Sequence, residues 1–404
     1  MIQKIKSKFL NLLALGKRKI KVDLRYLIKS NFWLGIGTAI SAISSFVLAV
    51  AFANFISPEN YGTYKFVLSF YSILAIAGLS GFGSATTRAV ARGFEGEFLK
   101  NFKIQAIGST FGTLVAFGIS FYYFTHLNPV LGWAFIITGA ALPFIESLAL
   151  YDALLMGKSK FKKMTIFGAV AQITATVAMI LATFLGFNVI GLLLVFFGSW
   201  IAIRTAVFIY VLKKFKPNSK TEDGTAKLGG HLSLMGVLNN IATYLDRIVL
   251  FHFLGAAEVA VYSFAIAPAE QIKGLLKNTN SIAMPRFSQR SEEELKSTML
   301  RKMLLMGIVV GLVIVAYIVA SPYIFKILFP RYLSSIGLSQ IFAISLLGTV
   351  ANLPISAMKS LSKLKGLYIY NISSSILTIG LVIVLTPVFG LMGTIIARTI
   401  SRLI

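Results

Sequence analysis

The chain has 404 residues, 56% hydrophobic and only 13% charged, with no cysteine and a formal net charge of +25. Soluble domains carry about 25% charged residues, so the composition places the chain in the membrane class. The lack of cysteine excludes disulfides, thiolate metal sites and a cysteine nucleophile.

The first 31 residues hold nine Lys and Arg and are partly amphipathic. This segment is too charged to span and has no signal-peptide cleavage site. It is expected to lie on the anionic inner leaflet as a helix, the alternative being a disordered basic tail. Apolar stretches near the roughly 20 residues that a spanning helix needs then recur at 33–56, 65–82, 104–126, 130–151, 164–185 and 190–212. Residues 213–230 contain Pro217, Gly224, Gly229 and Gly230 without apolar periodicity and read as a flexible linker. Six more stretches follow at 231–254, 259–277, 303–325, 336–356, 367–386 and 390–404. The pattern predicts an all-α membrane protein of about 12 transmembrane helices. Its parts are a basic segment (1–31), a six-helix lobe (32–212), a cytoplasmic linker (213–230) and a second six-helix lobe (231–404). No alternating pattern suggests a barrel. The last stretch has 15 residues, about 22 Å of helix against a hydrocarbon core of about 30 Å. Either the chain as given stops early or its last helix does not cross fully.

Of the 39 Lys and Arg, thirty lie in the N-terminal segment and in alternate loops (88–103, 158–163, 213–227, 286–302 and 359–365). The intervening loops hold Lys326 and Arg331, with Lys65 at their edge. Basic residues are retained on the cytoplasmic side, so both termini are expected to be cytoplasmic in a multi-pass protein of the cytoplasmic membrane. Most of the positive charge is therefore a topology signal, and no nucleic-acid partner is expected.

Two apolar runs are broken by FISPENYGTYKF (55–66), and the break recurs. Phe55, Tyr64 and Phe66 return as Phe253, Tyr262 and Phe264, 198 residues on, and Arg88, Arg92 and Lys103 return as Arg286, Arg290 and Arg301. Six spans separate the copies, so the halves form a parallel repeat about an axis along the membrane normal. Pro58 and Gly62 read as the outer turn of a helical hairpin, with Tyr61 and Tyr64 expected at the membrane interface.

The stretches FISPENYGTYKFVLSF, GFGSATTRAVARG and YLDRIVLFHFLGAAEVAVYSFA resemble the polysaccharide-biosynthesis membrane proteins of the Wzx type. Their superfamily also holds the multidrug and toxin exporters (MATE) and the lipid II flippase. The resemblance implies a MATE-like fold, two six-helix lobes around a central cavity open to alternate faces. It implies a flippase, not an enzyme, that moves polyprenyl-diphosphate-linked oligosaccharides, with no cofactor. Its partners would be that lipid-linked substrate, membrane lipids, and a polysaccharide polymerase and glycosyltransferases.

Charges at membrane depth are costly and usually face a cavity or a partner. The deep cations are Arg204, Arg247, Lys273 and Arg398, and the deep anions are Glu146, Asp246 and Glu270. Helical spacing puts Asn240, Thr243 and Arg247 on one face, Glu270, Lys273 and Lys277 on another, and Thr394, Arg398 and Arg402 on a third. These faces, with Arg204, are expected to line one cationic central cavity. Arg247, Arg398, Arg204, Lys273 and Asn240 are the substrate-binding candidates, because guanidinium forks suit phosphate oxygens. The structural alternatives are that Glu270 pairs with Lys273 at i, i+3 and that Asp246 neutralises a neighbouring helix. Pro143 and Pro268, shortly before Glu146 and Glu270, are hinge candidates. Glu146, Glu270 and Asp246 are candidates for binding a coupling ion. His126, His231 and His252 lie far apart, and no metal site is expected. The alternatives to a flippase are a MATE-type cation antiporter, whose cavity carboxylates should dominate, and a glycosyltransferase or ligase using the same lipid carrier. The latter would need a large extracytoplasmic loop or a carboxylate–metal site.

Overall fold

The computed structural model describes residues 24–287, 292–360 and 364–404. Residues 1–23 of the basic segment 1–31 lie outside them, as does Arg290, and so do the side chains of residues 24–31, Lys277 and Arg286. Among the described residues every regular element is helical. The first half comprises α1 (Leu24–Phe55), α2 (Pro58–Leu74), a 3₁₀ turn (Ala75–Gly78), α3 (Gly81–Ala91), α4 (Glu97–Thr125), α5 (Pro129–Leu148), α6 (Tyr151–Gly157), α7 (Phe161–Phe184) and α8 (Val189–Phe215). The second half comprises α9 (Thr225–Leu254), α10 (Ala256–Phe287), α11 (Glu292–Leu328), α12 (Ser335–Ala343), a 3₁₀ segment (Ile344–Ala351), α13 (Asn352–Ser360) and α14 (Leu364–Leu403).

Nine of the described helices are long and apolar enough to cross a membrane, and α2 with α3 makes a tenth, bent span. The two further stretches expected from the sequence are also helical. One is α10, less apolar than the rest. The other is the end of α14, which reverses at Gly390 (φ 58, ψ −139). Thr386 and Thr394, four residues to either side, share a 2.9 Å hydroxyl hydrogen bond. The last two stretches are thus the arms of one hairpin, and Gly390 supplies a left-handed φ that other residues adopt at a cost.

The short turns at one end of the bundle are built by caps. Ser57 Oγ accepts from Asn60 N at 3.3 Å with Pro58 as first helical residue. Asn128 and Asn188 cap α5 and α8 in the same way, at 3.2 and 3.0 Å. Each satisfies an orphan helix N–H. On one helix, α4, side-chain polarity is inverted relative to a soluble protein. On α4 the buried stripe is Asn101, Gln105, Ser109, Gly112, Ala116 and Ser120, whereas Phe111, Leu114 and Phe121 are exposed. Lipid supplies no hydrophobic drive between helices, so small and hydrogen-bonding residues make the contacts and apolar ones face the bilayer. Asn101 Nδ2 donates to Thr86 Oγ1 at 2.9 Å, and Gln105 Nε2 donates to the Leu79 carbonyl at 3.1 Å.

The repeat is visible in the helices. Pro58 opens α2 and Ala256, its counterpart at the same offset, opens α10. These two turns meet. A Cβ on Gly62 would sit 1.7 Å from the Ala256 carbonyl oxygen, so only glycine allows the approach. Phe66 stacks on Phe251 with centroids 3.8 Å apart, and Tyr61 stacks on Phe264 at 4.5 Å. Tyr61 and Tyr64 are 3% and 2% exposed. They are buried in the seam between the halves and do not face lipid. The seam also closes near the linker, where Gly81 N donates to Ser233 Oγ at 3.0 Å.

The reading of the linker as flexible is revised. Helices α8 and α9 leave only residues 216–224 outside helix, and this stretch is bolted to the α3–α4 loop. Gly96 N donates to the Lys220 carbonyl at 2.9 Å, Asn218 Nδ2 to the Gly93 carbonyl at 3.0 Å, and Arg92 pairs with Glu222. Pro143 and Pro268 lie inside α5 and α10, which continue past them. A bend of 44° lies between α2 and α3. No proline sits there; Leu79 takes φ 56 and Gln105 satisfies its carbonyl.

Candidate functional site

Polar side chains buried in the second half enclose a cavity of about 540 Å³. Helix α9 contributes Thr243 and Arg247, α10 contributes Glu270 and Lys273, and the last arm of α14 contributes Arg398 and Arg402. Three of the helical faces read from spacing therefore do converge. Hydroxyl and amide groups such as Ser345, Asn371 and Ser374 complete the wall.

The cations differ in how they are held. Arg398 is 7% exposed, with Nε 3.2 Å from Asp246 Oδ2, and it donates from a terminal nitrogen to the Ala242 carbonyl at 3.0 Å. Asp246 is wholly buried; the Tyr262 hydroxyl donates to it at 2.5 Å and the Arg247 amide at 2.7 Å. It is fully engaged and neutralises a neighbouring helix. Glu270 pairs with Arg402, and Lys273 Nζ lies 3.8 Å from its other oxygen. Arg247 differs from these. Among the described residues no carboxylate lies within ion-pair distance of its guanidinium, and its buried Nε has no hydrogen-bond partner. Four cations against the two carboxylates Asp246 and Glu270 leave two positive charges in excess around the cavity.

Asn240 and Arg204 are not in this cavity. Asn240 Nδ2 donates to the Ser72 carbonyl at 3.1 Å and ties α9 to α2 across the seam. Arg204 lines a separate cavity of about 420 Å³ in the first half, with Lys65, Tyr71 and Glu146. There it donates to the Ile145 carbonyl at 2.5 Å and lies 4.7 Å from the Trp200 ring centroid, while the Tyr71 hydroxyl donates to Glu146 Oε1 at 2.9 Å. Glu146 also borders a third cavity towards the linker end. One central cavity expected from the sequence is thus, in this closed arrangement, a cavity in each half. Tyr262 and Tyr71 were missed as site residues. The repeat offset also carries Arg204 onto Arg402, which the helical spacing had placed on the cavity face.

The helices thus form a multi-pass membrane bundle with buried cations around polar cavities. The fold matches the lipid II flippase MurJ in an inward closed conformation (TM-score 0.72, 15% identity, 92% of this chain and 85% of that one). It also matches an inward-facing multidrug resistance MATE family transporter of the MOP superfamily (TM-score 0.64, 15% identity, 93% and 94%). Residues 27–291 match the model of the polysaccharide biosynthesis protein family, and the chain belongs to that family. A relative from Shigella flexneri described as an O-antigen transporter is 24% identical over 93% of this chain and 94% of its own. The protein is accordingly an all-α, MATE-like membrane protein of the polysaccharide biosynthesis family.

Proposed function

We propose that the protein flips a polyprenyl-diphosphate-linked oligosaccharide across the cytoplasmic membrane by alternating access, with the diphosphate held in the second-half cavity. The observation that carries this reading is Arg247, a cavity-lining guanidinium without a counter-charge in a cavity with two excess positive charges. An anion that brings two negative charges and several acceptor oxygens satisfies both features. Arg398, Lys273 and Arg402 add field, each partly neutralised by its own carboxylate, so the head group is bound without being trapped. The name of the Shigella flexneri relative supports a polysaccharide cargo. A cation antiporter is disfavoured by the same charge balance.

In this reading residues 32–212 and 231–404 are the two rocking lobes, joined through 213–230, and both termini are cytoplasmic. The seam contacts at Gly62 and Gly81 must part alternately. Reconstituted vesicles provide the test. Wild-type protein is expected to expose an added lipid-diphosphate oligosaccharide to an outside enzyme, and Arg247→Ala to abolish this while remaining folded. Equal flipping by wild type and Arg247→Ala would reject the site.

A further inference from the structure

The two main cavities are copies of one another. At the repeat offset Ser45, Leu68, Thr176 and Arg204 of the first fall on Thr243, Ile266, Ser374 and Arg402 of the second, and all eight line their respective cavities. Against that common frame the chemistry diverges at defined positions. Ala49 stands where the second half has Arg247, and Trp200 stands where it has Arg398. The guanidinium without a counter-charge and the one paired with Asp246 are thus replaced by a methyl group and an indole.

What remains in the first-half cavity is a mixture of aromatic faces and polar groups held by local partners: Arg204 by the Ile145 carbonyl and the Trp200 ring, Lys65 over the Tyr61 ring, and Glu146 by the Tyr71 hydroxyl. Tyr61 and Tyr64 are buried in the protein, yet among the described residues no hydrogen-bond partner is found for either hydroxyl, and both residues line the cavity. Gln172 reaches Thr176 Oγ1 with its amide nitrogen at 3.4 Å, which leaves its carbonyl oxygen for another donor. Glu146 keeps its second oxygen, since Tyr71 takes only Oε1. Hydroxyl donors, amide and carboxylate acceptors beside Tyr and Trp rings match a sugar ring, which has hydroxyls on its rim and C–H groups on its faces. An isoprenoid tail would leave these polar groups unpaired, at a cost per group of about 1–3 kcal/mol. The cavity lies directly across the seam from the cationic one. Tyr71 lines it, the next carbonyl, Ser72, accepts from Asn240, and the residue before that, Asn239, lines the other.

We propose that the first-half cavity is a glycan-binding subsite that takes the neutral sugar next to the diphosphate. This inference rests on the diphosphate reading of the second-half cavity and adds a place for the sugar. The test is binding to the purified full chain, with geranyl diphosphate and geranyl diphosphate bearing one N-acetylglucosamine as probes. The sugar-bearing probe is expected to bind about tenfold more tightly, since a site built to hydrogen-bond hydroxyls discriminates against ligands lacking them. Tyr64→Phe combined with Gln172→Leu should erase that preference and leave affinity for the bare diphosphate unchanged. Arg247→Ala should weaken both probes. If the bare diphosphate binds through Arg247 but the sugar adds nothing, or its gain survives the double change, the glycan subsite is wrong and the diphosphate site stands. If neither probe binds, or Arg247→Ala leaves bare-diphosphate binding intact, the diphosphate reading falls and the subsite with it.

Discussion

Asp246 and Arg398 decide whether a deep cation belongs to the substrate or to the fold. Asp246 is wholly buried and Arg398 is 7% exposed, with 3.2 Å between Oδ2 and Nε. Asp246→Ala strands a buried guanidinium, which costs about 3–5 kcal/mol. It also removes the acceptor of the Tyr262 hydroxyl, worth about 1 kcal/mol more. The expected loss is therefore about 4–6 kcal/mol in unfolding free energy. Arg398→Met strands the carboxylate and should cost about 3–5 kcal/mol. The paired change Asp246→Leu with Arg398→Met removes one charge of each sign and leaves apolar side chains of similar length, so it should be milder than either single change. Unfolding in mixed micelles measures all three. The double change also keeps two excess positive charges at the cavity, so flipping should persist in it and fail in Arg398→Met alone. Single losses under about 1 kcal/mol that simply add would show that no buried pair exists in the membrane.

Arg247→Ala should leave unfolding free energy within about 1 kcal/mol of wild type, because no ion pair is broken, while flipping in vesicles falls. Arg247→Lys should recover part of it, since a point charge replaces the fork. Gly62→Val places side-chain atoms within the Ala256 carbonyl contact of 1.7 Å. It should destabilise the closed seam by about 1–3 kcal/mol in the same unfolding assay. Asn218→Ala removes the Oδ1 acceptor of Glu95 N and Lys220 N and the donor to Gly93 O. Trypsin should then cut at the linker lysines at least several-fold faster than in wild type, whereas Arg92→Ala, which breaks only an exposed pair, should change little.

Spans were legible because hydropathy reports the bilayer directly. Arg247, Glu270 and Arg398 could be brought to one cavity because helical spacing fixes which residues share a face. Arg204 and Asn240 were misplaced, since spacing within a helix says nothing about which neighbour the face meets. That Asp246 would be consumed by Arg398 and Tyr262 is a tertiary fact, although its charge at membrane depth announced that some partner was required. The bend between α2 and α3 had no proline to announce it, since it falls at Leu79, where Gln105 on another helix supplies the missing hydrogen bond. Tyr61 and Tyr64 were read by residue type as interfacial, but repeat symmetry puts both hairpin turns at the shared axis, where their rings are buried. The linker was read as flexible from its glycines, while its hydrogen bonds go to a loop distant in sequence.

The charge asymmetry between the cavities also bears on energy coupling. A diphosphate diester carries two negative charges, and the second-half cavity carries two positive charges in excess. The loaded form is then close to neutral, so the membrane potential does little work on its reorientation. The empty form carries the excess, and with the interior negative its inward return is favoured. Moving two charges through the whole field would be worth about 4.6 kcal/mol per 100 mV, an upper bound because the cavity traverses only part of it. If the second-half cavity holds the diphosphate as proposed, the potential acts on the return step. In vesicles holding a potassium gradient, adding a potassium ionophore to make the lumen corresponding to cytoplasm negative should speed multiple-turnover flipping and leave the first turnover of preloaded protein unchanged. Asp246→Leu with Arg398→Met should retain this dependence because the excess is preserved, whereas Arg247→Gln should reduce it along with substrate binding. Acceleration of the first turnover to the same degree would mean that the loaded form carries the charge, and the balance derived from the cavity would be wrong.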